Sequence, residues 1–535
     1  MNDPKKESQE IHKISPFELK DKLIDLATGK KRMTRSMLDA GRGNPNWIAA
    51  TPREAFFALG QFAITESRRV WDEGDLTGMP SRTGMADRFN QYVQDNQQPG
   101  IPLLKKVVDY GIQKKHFEPD AWLYELVDGI IGDNYPNPDR MLVRTEQVVH
   151  DFLLKEMCGD DSTCGPFDLF AVEGATAAMC YIFETLYKNH LLPRGSKIAL
   201  MVPIFPPYIE IPELPDNNYE LVKIKATEID EEGHHTWQYP AEELDKLKDK
   251  DIKALFIVNP SNPPSVALNK ESVDRIIDIV KQDNPNLMII SDDVYGTFVD
   301  GFRSLMVDLP FNTIGVYSYS KYFGVTGWRL GTIAINENNV FDKLIRELPE
   351  EKREVLNKRY ASLTQNPEEL KIIDRMVADS RDVALNHTAG LSTPQQIQMA
   401  IFSIFAMLDT KNEYKQKTND ILHRRMNLLY EGLGLPKKHL PNEADYYTKI
   451  DLEIWCKHHF EEGFLDYLKS NYNPEDILFR LAEKSSIVLM SGEGFLAPAW
   501  SIRVSLANLE DEAYSRIGQE LKKVLVDYLA EWKEG

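Results

Sequence analysis

Lys321 follows two small hydroxyl residues, Ser318 and Ser320, in the segment Ser318-Tyr-Ser-Lys-Tyr-Phe-Gly, directly after a predicted strand, and Arg329 follows eight positions later. Taken alone, a lysine in a serine-rich loop is usually a solvated surface residue. A lysine amine can also form an imine, and hydroxyls together with a guanidinium can bind a phosphate beside it. The segment therefore predicts a site for a phosphorylated group that is held through an imine.

Two further features point to anion binding. Gly174, Ala175 and Thr176 stand between a predicted strand and a predicted helix. Free backbone amides at a helix N-terminus attract phosphate through hydrogen bonds and the helix dipole. Near the C-terminus, Arg503 lies in the strand-like run Ser-Ile-Arg-Val-Ser, and its guanidinium fork suits a carboxylate. Each feature is weak alone, but their order along the chain is specific.

The spacing Ser-x-Ser-Lys-x7-Arg-x-Gly resembles the signature of the pyridoxal-phosphate-dependent class I and II aminotransferases, the aspartate aminotransferase superfamily. The resemblance runs in order from residue 172 to residue 503. It implies an α/β protein of fold type I, with a mostly parallel sheet in a large domain and a smaller α+β domain. It also implies that pyridoxal 5'-phosphate is the cofactor and that Lys321 is the catalytic residue that binds it.

The resemblance assigns the cofactor ring to residues that follow other predicted strands. Asp292 pairs with the pyridine nitrogen and keeps it protonated, because only a pyridinium ring accepts electrons well. Tyr295 and Asn262 hydrogen-bond the phenolic oxygen, and Phe205 stacks on the ring. After Asn262 the chain has Pro-Pro-Ser where the family has Pro-Thr-Gly. The implied phosphate contacts are Gly174, Ala175, Thr176, Ser318, Ser320, Arg329 and Tyr135, the last donated by a neighbouring subunit.

On the substrate side, the resemblance implies that Arg503 binds the α-carboxylate, with Asn262 beside it. Arg42, in Gly-Arg-Gly-Asn-Pro, lies where the family's N-terminal segment crosses the mouth of the site. It is a candidate for steering a β-carboxylate, and a plain surface role is an equal alternative. Lys22 is a weaker candidate of the same kind. No metal site is predicted, since His234-His235 and His458-His459 lack a clear set of further ligands.

The reaction depends on how the substrate is held. If Arg503 keeps the α-carboxylate near the ring plane, the α-proton is the group exposed to Lys321. The ketimine formed next has two outcomes: hydrolysis completes half a transamination, whereas a substrate with a β-carboxylate can lose carbon dioxide. The length, the segments 38–47 and 132–141 and a charged helical insertion are similar to the aspartate β-decarboxylases of this superfamily.

This similarity implies pyridoxal-phosphate-dependent conversion of L-aspartate to L-alanine and carbon dioxide, with minor aspartate transamination. An aminotransferase for aspartate or another dicarboxylic amino acid is the nearest alternative. A non-catalytic regulatory protein that binds the cofactor is an alternative from another class. The similarity further implies a homo-oligomer built from dimers, of which a dodecamer is one arrangement.

The elements that must position these residues are predicted from short apolar runs between amphipathic helical patterns. Runs at 168–172, 197–205, 254–258, 287–291, 313–317 and 330–335 are typical of strands buried on both faces. Their alternation with helices predicts a parallel sheet covered on both sides. We expect a helical N-terminal segment over 1–130, a large domain over 131–410 with a solvated helical insertion near 337–382, and a small α+β domain over 411–535.

Composition limits the remaining possibilities. The 535 residues carry 63 Lys and Arg against 83 Asp and Glu, a net charge of −20, which disfavours nucleic acid and anionic lipid as partners. Apolar runs are too short to cross a bilayer, and the N-terminus lacks a signal-peptide pattern. Four cysteines are too few for a disulfide scaffold; Cys158 and Cys164 look incidental and Cys180 buried. We therefore expect a cytoplasmic protein.

Overall fold

The computed structural model describes residues 15–29, 37–71, 76–134, 140–159, 162–215, 217–381, 390–437, 439 and 442–534. The helices are α1 Pro16–Gly29, α2 Ala50–Val70, α3 Met85–Asp95, α4 Ile101–Gln113, α5 Pro119–Ile131, α6 Val143–Cys158, α7 Ala175–Lys188, α8 Pro207–Glu213, α9 Ala241–Leu244, α10 Lys270–Gln282, α11 Leu305–Asp308, α12 Val340–Arg346, α13 Glu350–Tyr360, α14 Ile372–Ser380, α15 Thr393–Leu408, α16 Glu413–Leu433, α17 Leu452–His459, α18 Phe464–Asn471, α19 Pro474–Ser485 and α20 Asp511–Glu534.

The strands are β1 Leu38–Asp39, β2 Phe167–Val172, β3 Lys197–Val202, β4 Glu220–Lys225, β5 Ile252–Val258, β6 Met288–Asp292, β7 Thr313–Ser318, β8 Gly331–Asn336, β9 Tyr447–Asp451, β10 Ile487–Val488, β11 Met490–Ser491 and β12 Ser501–Ser505. Short 3-10 helices lie at Ser162–Cys164, Asp245–Lys248, Gly296–Phe298, Thr326–Trp328, Pro367–Glu369 and Glu493–Phe495.

The larger sheet has the strand order β2-β8-β7-β6-β5-β3-β4. Strands β2, β6, β7 and β8 are buried along their whole length, because helices cover both faces of the sheet. The central pairs β3–β5, β5–β6 and β6–β7 are parallel. Their carboxyl ends therefore meet along one edge, where Asp292 and Lys321 are found.

Strand β8 is the exception, since it runs antiparallel to both of its neighbours, β7 and β2. The segment between β7 and β8, residues 319–330, contains only turns and one 3-10 helix. Without a crossover helix the chain turns back directly, and β8 runs antiparallel to β7. The prediction of a mostly parallel sheet is confirmed. The antiparallel pairing of β8 is what makes the sheet mostly rather than wholly parallel.

A smaller sheet of β11, β12 and β9 is antiparallel throughout, and β1 pairs in parallel with β10 beside it. Helices α16 and α20 pack on each other over this sheet, and α1 packs on α19. The N-terminal helix and strand thus pack on elements from the C-terminal part of the chain. Strands β4 and β9 were absent from the sequence-based expectation; β4 is largely exposed, and β9 contains lysine and aspartate.

Helices α2 to α5 form a separate apolar core with α6 and α15. The insertion helix α14 packs on α7, which begins at the predicted phosphate site. Asn189, at the C-terminal end of α7, donates to the Tyr360 hydroxyl at 2.9 Å and accepts from Arg375 at 3.2 Å. Helix α13 is mostly exposed, but the expectation of a solvated excursion is wrong for α14, whose apolar face and Arg375 are buried. The domain boundaries at 130 and 410 stay predictions.

The cysteines differ from the expectation. Cys158 and Cys164 form a disulfide with their Cα atoms 6.7 Å apart, because the turn after α6 brings them together. They are therefore not incidental, and Cys180 is exposed on α7 rather than buried. Among the described residues, no helix combines the length and the apolar character that crossing a membrane requires.

Candidate active site

A cavity of about 310 Å³ lies at the carboxyl edge of the large sheet, against the small sheet and α1. Lys321 reaches it from the turn that follows β7, and Asp292 reaches it from the end of β6. The lining residues are Phe17, Lys20, Gly41, Arg42, Gly43, Asn44, Ala175, Thr176, Phe205, Val258, Asn262, Asp292, Val294, Tyr295, Ser318, Ser320, Lys321, Thr326, Arg329, Tyr447 and Arg503.

Lys321 is held under the segment that contains Arg42. Its Nζ donates to the carbonyl oxygen of Gly43 at 3.1 Å, and the Tyr446 hydroxyl donates to the same oxygen at 2.7 Å. A Cβ atom at Gly43 would lie 2.5 Å from the Tyr447 hydroxyl oxygen and 3.2 Å from Nζ. Glycine is therefore the residue that lets this backbone cross so close to the lysine.

The predicted phosphate site lies where β2 turns into α7. Gly174, at φ +88°, occupies the N-cap position, and the amides of Ala175 and Thr176 open the helix. Arg329 donates from Nη2 to the Glu173 carbonyl oxygen at 2.8 Å, and a Cβ atom at Gly174 would lie 2.6 Å from that nitrogen. Backbone amides, a helix N-terminus and a guanidinium thus converge here.

Two serine hydroxyls complete this end of the cavity. Ser318 Oγ and Ser320 Oγ are 2.9 Å apart, and both side chains are buried. Ser318 also donates to the Leu330 carbonyl oxygen at 3.1 Å. These hydroxyls come from the same turn as Lys321, so one short segment presents both the amine and the polar groups for an anion.

Asp292 is fully buried at the base of the cavity. Burial raises the pKa of its carboxyl to about 6, while the hydrogen bond from Tyr208 and the Val294 amide act in the opposite direction. Tyr208 donates to Oδ2 at 3.0 Å. No basic side chain of the described residues forms an ion pair with Asp292, so a cationic ring nitrogen would supply the missing partner.

A pair of tyrosines borders the cavity beside Asp292. Tyr295 donates to the Tyr447 hydroxyl at 3.0 Å, and the two rings meet edge to face. Burial, followed by the neighbouring tyrosines, raises the pKa of Tyr295 well above its usual value. Tyr295 therefore stays protonated at neutral pH and can donate to an anionic oxygen.

Arg503 is completely buried on β12 opposite Lys321. Its Nη1 donates to Asn262 Oδ1 at 3.2 Å and its Nη2 to the Gly41 carbonyl oxygen at 2.7 Å. Nε is buried without a hydrogen-bond partner, and no carboxylate of the described residues forms an ion pair with the guanidinium. Such a cation is suited to a carboxylate that the described residues do not supply.

The outer rim carries positive charge from two N-terminal elements. Arg42 is 59% exposed at its side chain and forms an ion pair with Asp39 at 3.1 Å. Lys22, the weaker candidate from the sequence, is exposed to solvent. Lys20, on the same helix α1, lines the cavity instead. Phe205 lies at the same rim, with its ring centroid 6.3 Å from that of Phe17.

The described residues predicted for the site line this cavity, except the weaker candidate Lys22 and Gly174, which directly precedes the lining residue Ala175. Tyr135 lies outside the described residues. Sequence reasoning missed Tyr208, Tyr447, Gly43 and Lys20, because each is brought in by packing between distant segments. Of these four residues, only Gly43 lies in a segment that the sequence analysis had named, residues 38–47.

The donor set fits pyridoxal phosphate. The orphan charge of Asp292 suits the ring nitrogen, Lys321 suits the aldehyde, and the start of α7 suits the phosphate. The cavity volume and the close approach at Gly43 and Gly174 leave a ring-sized space between these ends. The fold and the site together therefore define a pyridoxal-phosphate enzyme of fold type I.

Comparison with known proteins agrees with this class. The family described as aminotransferase class I and II matches residues 172–521. A Pseudomonas sp. protein called bifunctional aspartate aminotransferase and L-aspartate beta-decarboxylase is 47% identical over 99% of both chains. The aspartate aminotransferase of Sulfolobus acidocaldarius is 29% identical over 32% of this chain and 41% of its own.

Solved structures show the same fold at low identity. A Thermus thermophilus aspartate aminotransferase double mutant superposes with a TM-score of 0.56 and 15% identity, covering 98% of this chain and 100% of its own. The Pyrococcus horikoshii aromatic aminotransferase gives 0.56 and 17%, covering 95% and 99%. The chain belongs to the class I and II aminotransferase family. Its predicted fold class and its cofactor, pyridoxal 5'-phosphate, are confirmed.

Proposed function

We propose that the chain converts L-aspartate to L-alanine and carbon dioxide and catalyses aspartate transamination as a minor activity. The observation that carries this proposal is Arg503, a buried guanidinium that has no carboxylate partner in the described part of the chain and lines the same cavity as Lys321. The Pseudomonas relative, whose name gives both activities, supports the choice of substrate because its likeness covers 99% of the chain.

The cofactor contacts follow from the positions described above. We propose that Asp292 binds the ring nitrogen, that Tyr295 and Asn262 bind the phenolic oxygen, and that Phe205 contacts the ring face. Bound in this way, pyridoxal phosphate supplies an electron sink for bonds at the substrate's α-carbon. The groups proposed for the phosphate are Gly174, Ala175, Thr176, Ser318, Ser320 and Arg329, with Tyr135 of a neighbouring subunit as a further candidate.

Arg503 binds the substrate's α-carboxylate in this proposal. Its two Nη atoms are already fixed by Asn262 and Gly41, so the guanidinium needs little rearrangement when substrate enters. A carboxylate held there lies across the cavity from Nζ of Lys321. The α-proton is then the substrate group presented to the amine, which acts as the general base and returns a proton afterwards.

The choice between decarboxylation and transamination depends on water. The segment 41–44 lies over the lysine, and the carbonyl oxygen of Gly43 contacts Nζ directly. By covering this side of the cavity, the segment limits the access of water that hydrolysis requires. Loss of the β-carboxylate needs no water, so a covered cavity favours carbon dioxide release.

Arg42 and Lys20 line the cavity and place positive charge at its rim. Arg42 already pairs with Asp39, so a substrate carboxylate must share or replace that partner. We propose that Arg42 steers the β-carboxylate. Replacing it, as Arg42→Ala, should change the ratio of alanine to oxaloacetate formed from aspartate, whereas an unchanged ratio would remove Arg42 from the site.

Product analysis with aspartate as the sole substrate tests the proposed activity. Without a keto acid, a decarboxylase forms alanine and carbon dioxide over many turnovers, whereas an aminotransferase stops after one equivalent of oxaloacetate per site. Catalytic alanine supports the proposal. Oxaloacetate limited to one equivalent, with no alanine, contradicts it and favours the aminotransferase.

A homo-oligomer built from dimers and a cytoplasmic location remain proposals. The oligomer rests on the implied role of Tyr135 and is tested by measuring the mass of the native particle. A monomer with full activity would contradict a site shared between subunits.

A further inference from the structure

A second cavity, of about 290 Å³, lies between the segment after β4 and the small-sheet elements β9 and α17. Its walls are mainly apolar and include Trp237, Trp455 and Pro264. Pro264 belongs to the loop that carries Asn262, so this cavity adjoins the candidate active site without sharing its lining residues.

Lys449, on β9, is the unusual residue of this cavity. Its side chain is buried, and its Nζ has no hydrogen-bond partner in the described part of the chain. The amine lies 4.1 Å from the centroid of the Trp237 ring. Burial lowers the pKa of this amine to about 7, and the charge of Asp451 acts in the opposite direction.

Lys437 lines the same cavity and shows the ordinary alternative. Its Nζ donates to both carboxylate oxygens of Glu443, at 2.8 and 2.9 Å. Burial opposes its charge, but Glu443 outweighs burial, and the pKa of Lys437 is raised. Lys437 is therefore held by an ion pair, whereas Nζ of Lys449 has no hydrogen-bond partner among the described residues.

This desolvated amine belongs to a residue of the cavity wall and has no hydrogen-bond partner among the described residues, so it is a nucleophile for small electrophiles. Carbon dioxide fits these surroundings, since it is small and carries no charge that would have to be desolvated. We propose that Lys449 reversibly binds carbon dioxide as a carbamate. The proposal needs only dissolved carbon dioxide, although its use as a product signal rests on the proposed decarboxylation.

The reaction balances without any further reactant. The lone pair of Nζ forms a bond to the carbon, one carbon–oxygen π bond breaks, and its electrons remain on oxygen. One proton leaves the nitrogen. Asp451 and His235 are the nearby acceptor pair: His235 Nε2 lies 3.2 Å from Asp451 Oδ2, and His235 Nδ1 is buried without a partner.

The modification would act next to the active site. Lys449 stands directly opposite Arg503 in the pairing of β9 with β12 and two residues after Tyr447, which lines the cofactor cavity. Carbamate formation turns an amine into an anion on this strand. The expected consequence is a change in the apparent affinity for aspartate.

Chemical trapping tests the proposal directly. The holoenzyme is equilibrated with 13C-labelled bicarbonate and carbon dioxide, treated with triethyloxonium to fix carbamates as ethyl esters, digested and analysed by mass spectrometry. We expect labelled ester on Lys449 at an occupancy at least about tenfold above that on Lys437, since a carbamate forms only on the uncharged amine. Equal occupancy on both lysines, or none on Lys449, overturns the proposal.

Two variants sharpen the test. Lys449→Arg should lose the labelled ester, while Lys437→Arg should retain it at Lys449; a wild-type signal in Lys449→Arg contradicts the assignment. The comparison of two lysines within the wild-type protein stands even if a variant fails to fold. Supplying the label instead as 4-13C-aspartate separates the two proposals: failure only in this arm contradicts decarboxylation and leaves the carbamate site intact.

Discussion

Arg503 and Lys449 are paired on adjacent strands, yet they serve two different cavities. Arg503 donates to Asn262 and Gly41 in the cofactor cavity, whereas the Lys449 amine lies over the face of Trp237 in the second cavity. Burial lowers the pKa of both side chains. The usual pKa of a guanidinium is so high that Arg503 keeps its charge, whereas a pKa of about 7 leaves a large part of the Lys449 amine uncharged at neutral pH.

The difference teaches that burial alone does not define what a cation can do. A fixed, charged guanidinium with a free Nε is suited to bind a carboxylate. An unpaired amine is suited to nucleophilic chemistry or to proton transfer. The choice of side chain at two facing positions therefore separates substrate binding from the proposed modification site.

The largest expected effect comes from the lysine of the cofactor cavity. Lys321→Ala should abolish the visible absorbance of the bound cofactor and lower aspartate turnover by at least about a thousand-fold, because the amine both binds the cofactor and moves the proton. Absorbance spectra and steady-state rates measure both effects. Lys449→Met is the matched control and should keep most of the turnover. Native turnover in Lys321→Ala would break the distinction between the two amines.

The next effect concerns the substrate carboxylate. Arg503→Lys removes the fork that Asn262 and Gly41 hold, and it leaves their oxygens with fewer donors. Losing one partner of a buried, hydrogen-bonded charge pair costs about 2–5 kcal/mol. We expect kcat/KM for aspartate to fall by roughly 30-fold or more, mainly through KM. A fall confined to kcat would show that Arg503 does not bind substrate.

A smaller effect is expected where the backbone crosses Lys321. Gly43→Ala places a methyl group against the Tyr447 hydroxyl and Nζ, so the segment must move away. We expect about a tenfold loss in kcat/KM and a larger share of transamination, because the cavity becomes more open to water. Gly327→Ala is the control, since a Cβ atom there meets nothing within 4 Å. Equal behaviour of the two variants would contradict the covering role.

The smallest effect concerns stability. A base whose pKa is lowered by folding loses native stability as the pH falls from about 10.5 to about 7, because the unfolded state gains the proton first. Lys449→Met should therefore raise the free energy of unfolding by about 1–3 kcal/mol at pH 7, and the gain should shrink towards pH 10. Urea unfolding at both pH values measures it.

Lys437→Met is the matched control for this measurement. It removes the amine that pairs with Glu443 and should destabilise the protein, since an ion pair between two buried side chains is lost. If Lys449→Met also lowered the free energy of unfolding, Lys449 would stabilise the protein through packing, and its buried charge would not be the dominant effect.

The buried strands and the order of site motifs were predictable, because both leave local signals. The runs at 313–317 and 330–335 correspond to β7 and β8 within one residue at each end. Strand β9 left no such signal, since Lys449 and Asp451 interrupt its apolar pattern. Tyr447 and Lys449 were therefore missed together, although they border two different cavities.

The sequence by itself determined which residues can carry the chemistry: a lysine after a strand, a glycine-led helix start, an acid at a strand end and an arginine far along the chain. Their covalent neighbours specify these roles locally. Only the tertiary structure decided which groups lack partners, and Lys437 and Lys449 differ through Glu443 alone among their ion pairs. A buried charge is set by what surrounds it in space, and that surrounding comes from segments far apart in the chain.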